Sequence, residues 1–189
     1  MSQTAEAKRV VQRILRVNHA GEHGAISIYS QQASEARRRF DDLSPWISET
    51  LDHEIRHRKI FLDLMPARGA KPCRLMFVWR YGGSLLGWIT ARLGRNGVLI
   101  CTAAVEQTVH RHLDDQINYL RELDPELVAA IKDVQQEENA HLSFARQNMR
   151  QGVVAPVVFA AVTVATELLI LISTRGDSFS LARKLRAAR

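Results

Sequence analysis

The sequence predicts an all-α protein, a four-helix bundle with two additional apolar helices. Apolar residues return every three or four positions over long stretches, and strand signals are almost absent. Glycine and proline are few, ten and five in 189 residues, and no low-complexity linker divides the chain. We therefore expect residues 1–189 to form one domain.

The first two helices are delimited by residues that interrupt the apolar period. The first helix is predicted over residues 5–40. Ser44 and Pro45 have the pattern of an N-cap followed by proline in the first turn, so a second helix should run from there to Leu64. Three helix breakers then end it: Pro66, Gly69 and Pro72.

The second half of the chain repeats this layout after an unusually apolar segment, residues 75–93. Asn96-Gly97 is predicted to be the turn before a fourth helix that reaches about residue 122. Asp124-Pro125 repeats the cap-and-proline start. The remaining segments follow in order: a fifth helix to about residue 151, an apolar segment over 153–174 and a basic tail over 175–189.

Two Glu-x-x-His motifs, Glu54 to His57 and Glu138 to His141, are the strongest functional signal. Residues three apart on a helix share a face, so each motif presents a carboxylate and an imidazole one turn apart. A further glutamate precedes each motif by 32 residues, and the whole set recurs 84 positions later. The internal repeat therefore yields six candidate metal ligands: Glu22, Glu54, His57, Glu106, Glu138 and His141.

These six residues match the ligand inventory of a bundle that holds two metal ions between four helices. They fall on the apolar stripes of their helices, where an ionised carboxylate costs several kcal/mol unless a charge offsets it. Two divalent irons would balance four glutamates. Oxygen and imidazole ligands without thiolate favour iron or manganese. We therefore predict two Fe ions per chain and catalysis through the di-iron centre.

Other polar residues near the motifs carry weaker signals. Glu49 and Asp133 are also 84 residues apart, and either is a candidate to orient a ligand imidazole. Five histidines do not repeat at that spacing, and surface or supporting roles are predicted for them: His19, His23, His53, His110 and His112.

The apolar segments 75–93 and 153–174 are predicted to pack on the bundle and to lie in a membrane interface, with the basic tail 175–189 on anionic lipid. The second segment reaches the length of a bilayer span but contains Pro156 and Glu167. The alternative is that both segments are only buried core. Three aromatic residues favour the interfacial position: Trp79, Tyr81 and Trp88.

Composition narrows the function further. The net charge is +6, yet no zinc-finger spacing, recognition-helix signature or aromatic–basic alternation supports nucleic acid as a partner. Cys73 and Cys101 stand alone, which is typical of reduced residues in a cytosolic compartment. The first ten residues lack the apolar stretch of a secretory signal.

Four stretches in order, RILRVNHAGEHGAISIY, EIRH, CTAAVEQTVHRHLDDQI and EENAH, resemble the demethoxyubiquinone hydroxylase family of ubiquinone biosynthesis. The resemblance extends from about Arg13 to Thr174. It implies a ferritin-like di-iron monooxygenase, bound peripherally to the cytoplasmic side of the cell membrane. Such an enzyme hydroxylates the ring of a membrane-dissolved polyprenylated methoxy-benzoquinone with O2, with electrons ultimately from NADH. The resemblance implies the same six metal ligands and a lipid-binding accessory protein as a partner.

Two other functions stay open at this point. One is a ferroxidase or peroxide-handling protein of the ferritin or rubrerythrin type, although the chain has no rubredoxin-like segment with four cysteines. The other is a non-catalytic lipid-binding bundle with vestigial carboxylates. The sequence leaves open the oligomeric state, including a homo-oligomer, and the length of the quinone side chain.

Overall fold

The computed structural model describes residues 3–173, and within that range the chain is built from helices without a strand, which confirms the all-α prediction. The helices are α1 Gln3–Arg39, α2 Ser44–Leu64, α3 Met76–Arg92, α4 Arg95–Leu120, α5 Pro125–Asn148 and α6 Ala155–Ser173. A short 3-10 helix, Pro66–Arg68, follows α2. The predicted basic tail, residues 175–189, lies outside the described residues.

The architecture is a ferritin-like bundle made of two similar three-helix units. Helix α1 packs against α2, and α4 packs against α5, which gives the four helices of the bundle. Helix α3 lies on α1, and α6 lies on α4 in the same way. The 84-residue repeat of the sequence therefore extends to a third helix in each unit.

Two apolar clusters occupy opposite ends of the bundle. One is formed by residues such as Ile14, Phe61 and Leu127, which are fully buried. The other contains Ile47 and Leu99, which are also fully buried. Burying one such side chain contributes roughly 1.5–3 kcal/mol. On all four bundle helices the predicted ligands lie between these two clusters, so apolar packing on both sides holds them in place.

The two predicted helix caps have different outcomes. Asp124 caps α5 as predicted, because its Oδ1 accepts the backbone N–H of Leu127 at 3.1 Å. Ser44 is not the cap of α2. The residue before the helix is Leu43, whose side chain is completely buried and caps nothing. The Ser44 N–H instead donates to the Phe40 carbonyl at 3.2 Å. The start of α2 is therefore set by the burial of Leu43 and not by a side-chain cap.

The turn predicted at Asn96-Gly97 is also wrong. Both residues lie inside α4, and the chain reverses at Gly94, whose φ of 86° favours glycine. Gly97 has a different reason to lack a side chain. A Cβ at this position would collide with the carbonyl oxygen of Thr90, so Gly97 permits the close approach of α3 and α4.

The two apolar helices are not simply buried core. Residues 155–172 of α6 are long and apolar enough to cross a membrane by length and composition, with a mean hydropathy of 2.3, and only 22% of this stretch is buried. Helix α3 likewise exposes apolar side chains, among them Phe77, Leu85 and Trp88. Trp79, by contrast, is only 3% exposed and packs against Gly24 of α1, so its predicted interfacial position is wrong.

Candidate metal centre

All six predicted ligands converge in the middle of the bundle. Helices α1 and α4 each contribute one glutamate, and α2 and α5 each contribute a Glu-x-x-His pair. None of the six residues is more than 6% exposed: Glu22, Glu54, His57, Glu106, Glu138 and His141. The helical spacing found in the sequence therefore brings these side chains together, while their binding of metal stays a prediction.

The six residues form two overlapping groups that share Glu54 and Glu138. In each group, ligand atoms from three carboxylates and one imidazole lie within 4.8 Å of one another. Glu22 and His57 belong only to the first group, and Glu106 and His141 belong only to the second. The glutamate of each Glu-x-x-His motif thus belongs to both groups. A carboxylate that bridges two metal ions requires this position.

Both imidazoles turn Nδ1 toward the carboxylates. Nδ1 of His57 is 3.0 Å from Glu138 and 4.0 Å from Glu22. Nδ1 of His141 is 3.3 Å from Glu138 and 3.7 Å from Glu54. The two rings therefore approach the centre in the same orientation, and each keeps Nε2 for a contact on the outer side.

The donor set fits a pair of divalent metal ions. Oε1 of Glu54 is buried and has no hydrogen-bond partner, although such atoms are normally satisfied. Four carboxylates and two imidazoles, without thiolate, are the ligands that iron and manganese prefer. A bound cation would satisfy an unpaired ligand atom in this buried, acid-rich centre.

Without a cation the centre retains protons on its carboxylates. Burial and the neighbouring charge of Glu138 raise the pKa of Glu22 to about 7. The same two causes raise the pKa values of Glu54 and Glu106 well above their ordinary range. Metal binding must displace these protons, so the affinity for iron is expected to fall as the pH is lowered.

The charge that remains in the metal-free centre is concentrated on Glu138 and His57. Burial alone would raise the pKa of Glu138, but its contacts with His141, His57 and Glu106 outweigh burial and lower it. Burial alone would lower the pKa of His57, but its contacts with Glu138 and the charge of Glu22 raise it to about 9. An ionised carboxylate beside an imidazolium thus takes the place of the cation.

A chain of polar side chains closes the centre on its α2 and α5 side. Nε2 of His57 contacts Glu137 at 3.0 Å, and Arg56 donates to the same carboxylate at 2.8 Å. Nε2 of His141 contacts Nδ1 of His53 at 3.0 Å, and that nitrogen is 3.3 Å from Glu137. Glu137 therefore supports one ligand imidazole directly and the other through His53.

The two acids that the sequence analysis named as candidates for this supporting role, Glu49 and Asp133, are the wrong ones. Glu49 is mostly exposed and reaches only His53, at 4.0 Å, while Asp133 is exposed. The residues that contact the imidazoles, His53 and Glu137, are themselves 84 positions apart and differ in identity. A search for identical residues at the repeat spacing does not find them. Their position directly before the two predicted ligand glutamates is the signal that could have identified them.

Tyr29 is a further neighbour of the centre that the motifs did not identify. It is 1% exposed, and its hydroxyl donates to Oε1 of Glu106. Burial, together with the charge of Glu106, raises the pKa of Tyr29 well above its ordinary value. The phenol therefore stays protonated and holds one carboxylate of the centre in position.

A cavity reaches the four glutamates from the side of α3 and α6. Its walls are otherwise mostly apolar and include Ile28, Trp79, Leu86, Leu113 and Ile170. Its volume is about 60 Å³, below the 300–1,000 Å³ that is usual for ligand pockets. An apolar passage that ends at carboxylates suits a flat apolar molecule, and side chains must move for a ring to enter.

A family model and curated relatives agree on the kind of protein. The model described as "Ubiquinone biosynthesis protein COQ7" matches residues 9–173. A bacterial relative, the 3-demethoxyubiquinol 3-hydroxylase of Rhodospirillum rubrum, is 34% identical over 167 residues. That alignment covers 88% of this chain and 78% of the bacterial protein.

Mammalian relatives carry a related name, "NADPH-dependent 3-demethoxyubiquinone 3-hydroxylase, mitochondrial". The Bos taurus protein is 37% identical over 162 residues, which cover 84% of this chain and 74% of that protein. The Mus musculus protein is 41% identical over 138 residues, which cover 71% of this chain. The match spans 63% of the mouse protein, slightly less than two thirds of its length.

Proposed function

The chain belongs to the COQ7 family of ubiquinone biosynthesis proteins, and on that premise we propose that it hydroxylates the ring of a demethoxyubiquinone with dioxygen at a di-iron centre. One observation carries the proposal: an apolar cavity ends at two overlapping groups of buried carboxylates and imidazoles. The relatives named as hydroxylases support the reaction class. The whole chain would then act as one ferritin-like domain.

Glu22 and His57 would hold one iron, Glu106 and His141 the other, and Glu54 and Glu138 would contact both. When bound, the two irons supply the electrons with which dioxygen is reduced and one of its oxygen atoms is transferred. Tyr29 keeps Glu106 in one orientation. Glu137 and His53 fix the two imidazole rings and thereby their inward-facing Nδ1 atoms.

The cavity would receive the quinone ring, because its mainly apolar walls exclude water and leave the glutamates as its polar end. Trp79 and Leu169 line the cavity between the bundle and the two apolar helices, where a substrate from a bilayer would arrive. The cavity is smaller than a ring needs, so these side chains would move on binding. The polyprenyl tail would remain between α3, α6 and the lipid.

The reaction needs two electrons besides the substrate and dioxygen, so that one oxygen atom enters the ring and the other leaves as water. We propose a reduced nicotinamide nucleotide as their ultimate source. The sequence resemblance implies NADH, whereas the names of the mammalian relatives specify NADPH. Purified protein supplied with either nucleotide, with the oxidation of each followed in the presence of quinone, would distinguish them.

Peripheral attachment to the cytoplasmic side of the cell membrane is part of the proposal. The exposed apolar faces of α3 and α6 support it. Glu167 of α6 lies 3.7 Å from Arg111 and 3.4 Å from His112, both on α4. Because charged side chains are costly within a membrane span, this ion pair favours an interfacial position of α6 over a spanning one. A lipid-binding accessory protein and a homo-oligomer are further proposed partners on this face.

Quinone analysis of a bacterial strain that lacks this hydroxylation step tests the function directly. Expression of the chain should restore ubiquinone and remove the accumulated demethoxy intermediate. The Glu138→Ala variant should leave the intermediate in place, and the exposed Asp133→Ala change on the same helix provides the control. Unchanged accumulation with the wild-type chain, expressed and loaded with iron, would refute the proposal.

The ferroxidase alternative makes a different prediction. A ferritin-type centre oxidises iron that enters and leaves, and needs no apolar cavity for an organic substrate. Bulky substitutions in that cavity, such as Gly21→Leu, should block quinone hydroxylation and leave iron-stimulated oxygen consumption nearly unchanged. Iron-stimulated oxygen consumption by the wild-type protein without any hydroxylation of the quinone would favour the ferroxidase.

A further inference from the structure

An open groove of about 550 Å³ runs between α1 and α3, separate from the cavity that reaches the metal centre. One wall comes from α1 and contains His23, and the other comes from α3 and contains Phe77, Arg80 and Tyr81. Phe77 and Tyr81 are 57% and 67% exposed, so the groove opens directly onto the apolar outer face of α3.

The polar end of this groove is strongly basic. Nη1 of Arg58, on α2, donates to Nδ1 of His23 at 3.1 Å. Arg80 and His23 line the same groove, so two guanidinium groups lie at this end of it. His19, one turn before His23, is buried and its Nδ1 has no hydrogen-bond partner.

No carboxylate balances this charge within residues 3–173. Arg58 is half-buried and donates to the His23 nitrogen, and Arg80 contacts the ring of Tyr81. Two other partly buried arginines, Arg68 and Arg95, have acidic partners in Asp124 and Asp42. A half-buried guanidinium without a counterion is costly, so the groove is built to receive an anion.

We propose that this groove binds the phosphate headgroup of an anionic membrane phospholipid. The phosphate would lie at the basic end of the groove, beside Arg80 on its wall and Arg58, which contacts His23 of the opposite wall. An acyl chain would follow the exposed apolar residues Phe77, Tyr81 and Leu85 along α3. The inference deepens the proposed peripheral attachment and rests on it. It predicts a defined lipid site rather than diffuse attraction to a negative surface.

The arrangement of charge and apolar surface favours a lipid over a soluble phosphate compound. A free anion needs only the two guanidinium groups, whereas this groove continues into an apolar face that water-soluble ligands leave uncovered. Phe77 and Tyr81 are more than half exposed, and a lipid chain would cover them. A phospholipid headgroup would match the basic end of the groove, and its acyl chain would match the apolar face of α3.

Vesicle flotation with the full-length, iron-loaded protein tests the proposal. Vesicles of phosphatidylcholine alone are compared with vesicles that also contain phosphatidylglycerol. Arg80→Gln and Arg58→Gln should each weaken binding to the anionic vesicles about fivefold and leave binding to the neutral vesicles unchanged. Lys132→Gln, an exposed change of equal charge on α5, should weaken anionic binding less than about twofold.

Soluble competitors separate the sources of phosphate. Short-chain phosphatidylglycerol below its micelle concentration should displace the anionic vesicles from the wild-type protein and not from Arg80→Gln. Inorganic phosphate or NADPH competing as effectively as the short-chain lipid would overturn the lipid assignment. Equal losses in Arg80→Gln and Lys132→Gln would overturn the site itself.

The failure of this inference is distinguishable from the failure of the proposed function. Wild-type protein that binds neutral and anionic vesicles equally would refute the headgroup site alone. Wild-type protein that binds neither kind of vesicle would refute the peripheral attachment. Arg80 does not line the cavity that reaches the metal centre, so hydroxylation of a detergent-dissolved quinone by Arg80→Gln should match wild type, which would show that this variant is folded.

Discussion

The two halves of the metal centre are alike on the inside and different on the outside. Facing inward, each half presents one lone glutamate and one Glu-x-x-His pair, with Nδ1 of each imidazole toward the carboxylates. Facing outward, His57 meets the carboxylate of Glu137, whereas His141 meets the imidazole of His53. The two halves therefore match at the predicted ligands and differ at the residues that support them.

With metal bound, this difference would give the two predicted metal positions different electronic character. An imidazole that donates to a carboxylate is a more basic ligand than one that donates to a neutral imidazole. If His141 binds metal through Nδ1, its Nε2–H donates to His53. The position near His57 is therefore expected to be the tighter one, and dioxygen would meet two inequivalent irons.

Removing a ligand that both positions share should have the largest effect. Glu138 belongs to both groups, and in the metal-free protein its charge is the anion that the two histidines face. Glu138→Ala should abolish hydroxylation and leave close to no bound iron, measured by metal analysis after gel filtration. Normal iron content in this variant would remove Glu138 from the ligands, and Asp133→Ala is the matched control.

Replacing the direct support of one half should have an intermediate effect that is larger in that half than in the other. Glu137→Gln keeps the size of the side chain but withdraws the carboxylate from His57. We expect iron affinity at that position to fall roughly 10- to 100-fold, with the second position less affected, in an anaerobic Fe(II) titration. Glu49→Gln, on the exposed rim, should change neither. Equal weakening of both positions would show that the halves are not distinct.

The pH should act on the metal-free protein in the opposite sense to its effect on metal binding. The pKa of Glu22 is raised to about 7 and that of His57 to about 9, so the folded state holds protons that the unfolded state has released. Their contribution to stability is therefore present at low pH and is lost as the pH rises through the raised pKa values. The pKa of His19 is lowered to about 4 and acts in the opposite direction only below about 6.5, so the net fall is expected between about pH 6.5 and 9. The melting temperature should fall by roughly 5 °C over this range, and less in Glu22→Gln. A melting temperature that rises instead would contradict this assignment of protons.

The smallest effect is expected away from the centre, where an ion pair joins the two halves. Arg68, after α2, donates to both oxygens of Asp124 at 2.6 and 2.7 Å and to Glu126 at 2.9 Å. Arg68→Gln should lower the free energy of unfolding by about 1–3 kcal/mol, measured by urea denaturation, with unchanged iron content. Loss of iron in this variant would mean that the halves depend on this contact for their alignment.

The sequence was sufficient for the fold and for the inward-facing residues because both follow from periodicity. An 84-residue offset identified six side chains, and a 3.6-residue helix puts each of them on the buried face. The outer contacts could not be found in the same way. His53 and Glu137 occupy equivalent positions, yet each touches the imidazole of the opposite half, and only the three-dimensional crossing of α2 and α5 reveals it.

The errors at the helix ends have a similar origin. Ser44 and Asn96-Gly97 carry local signals that hold for a chain in isolation. In the folded protein, the burial of Leu43 and the close approach of Gly97 to Thr90 decide where α2 and α4 begin. Trp79 was assigned to the interface from its residue type, whereas its ring packs on Gly24. Tertiary packing overrides local preference at all three positions.

Mössbauer spectroscopy of the wild-type protein, loaded anaerobically with 57Fe, tests the central claim most directly. The account predicts two ferrous signals of equal area, one for each overlapping ligand group, with one of them altered more than the other in Glu137→Gln. Iron that gives the signal of a single mononuclear site, or that is absent from the centre, would contradict it.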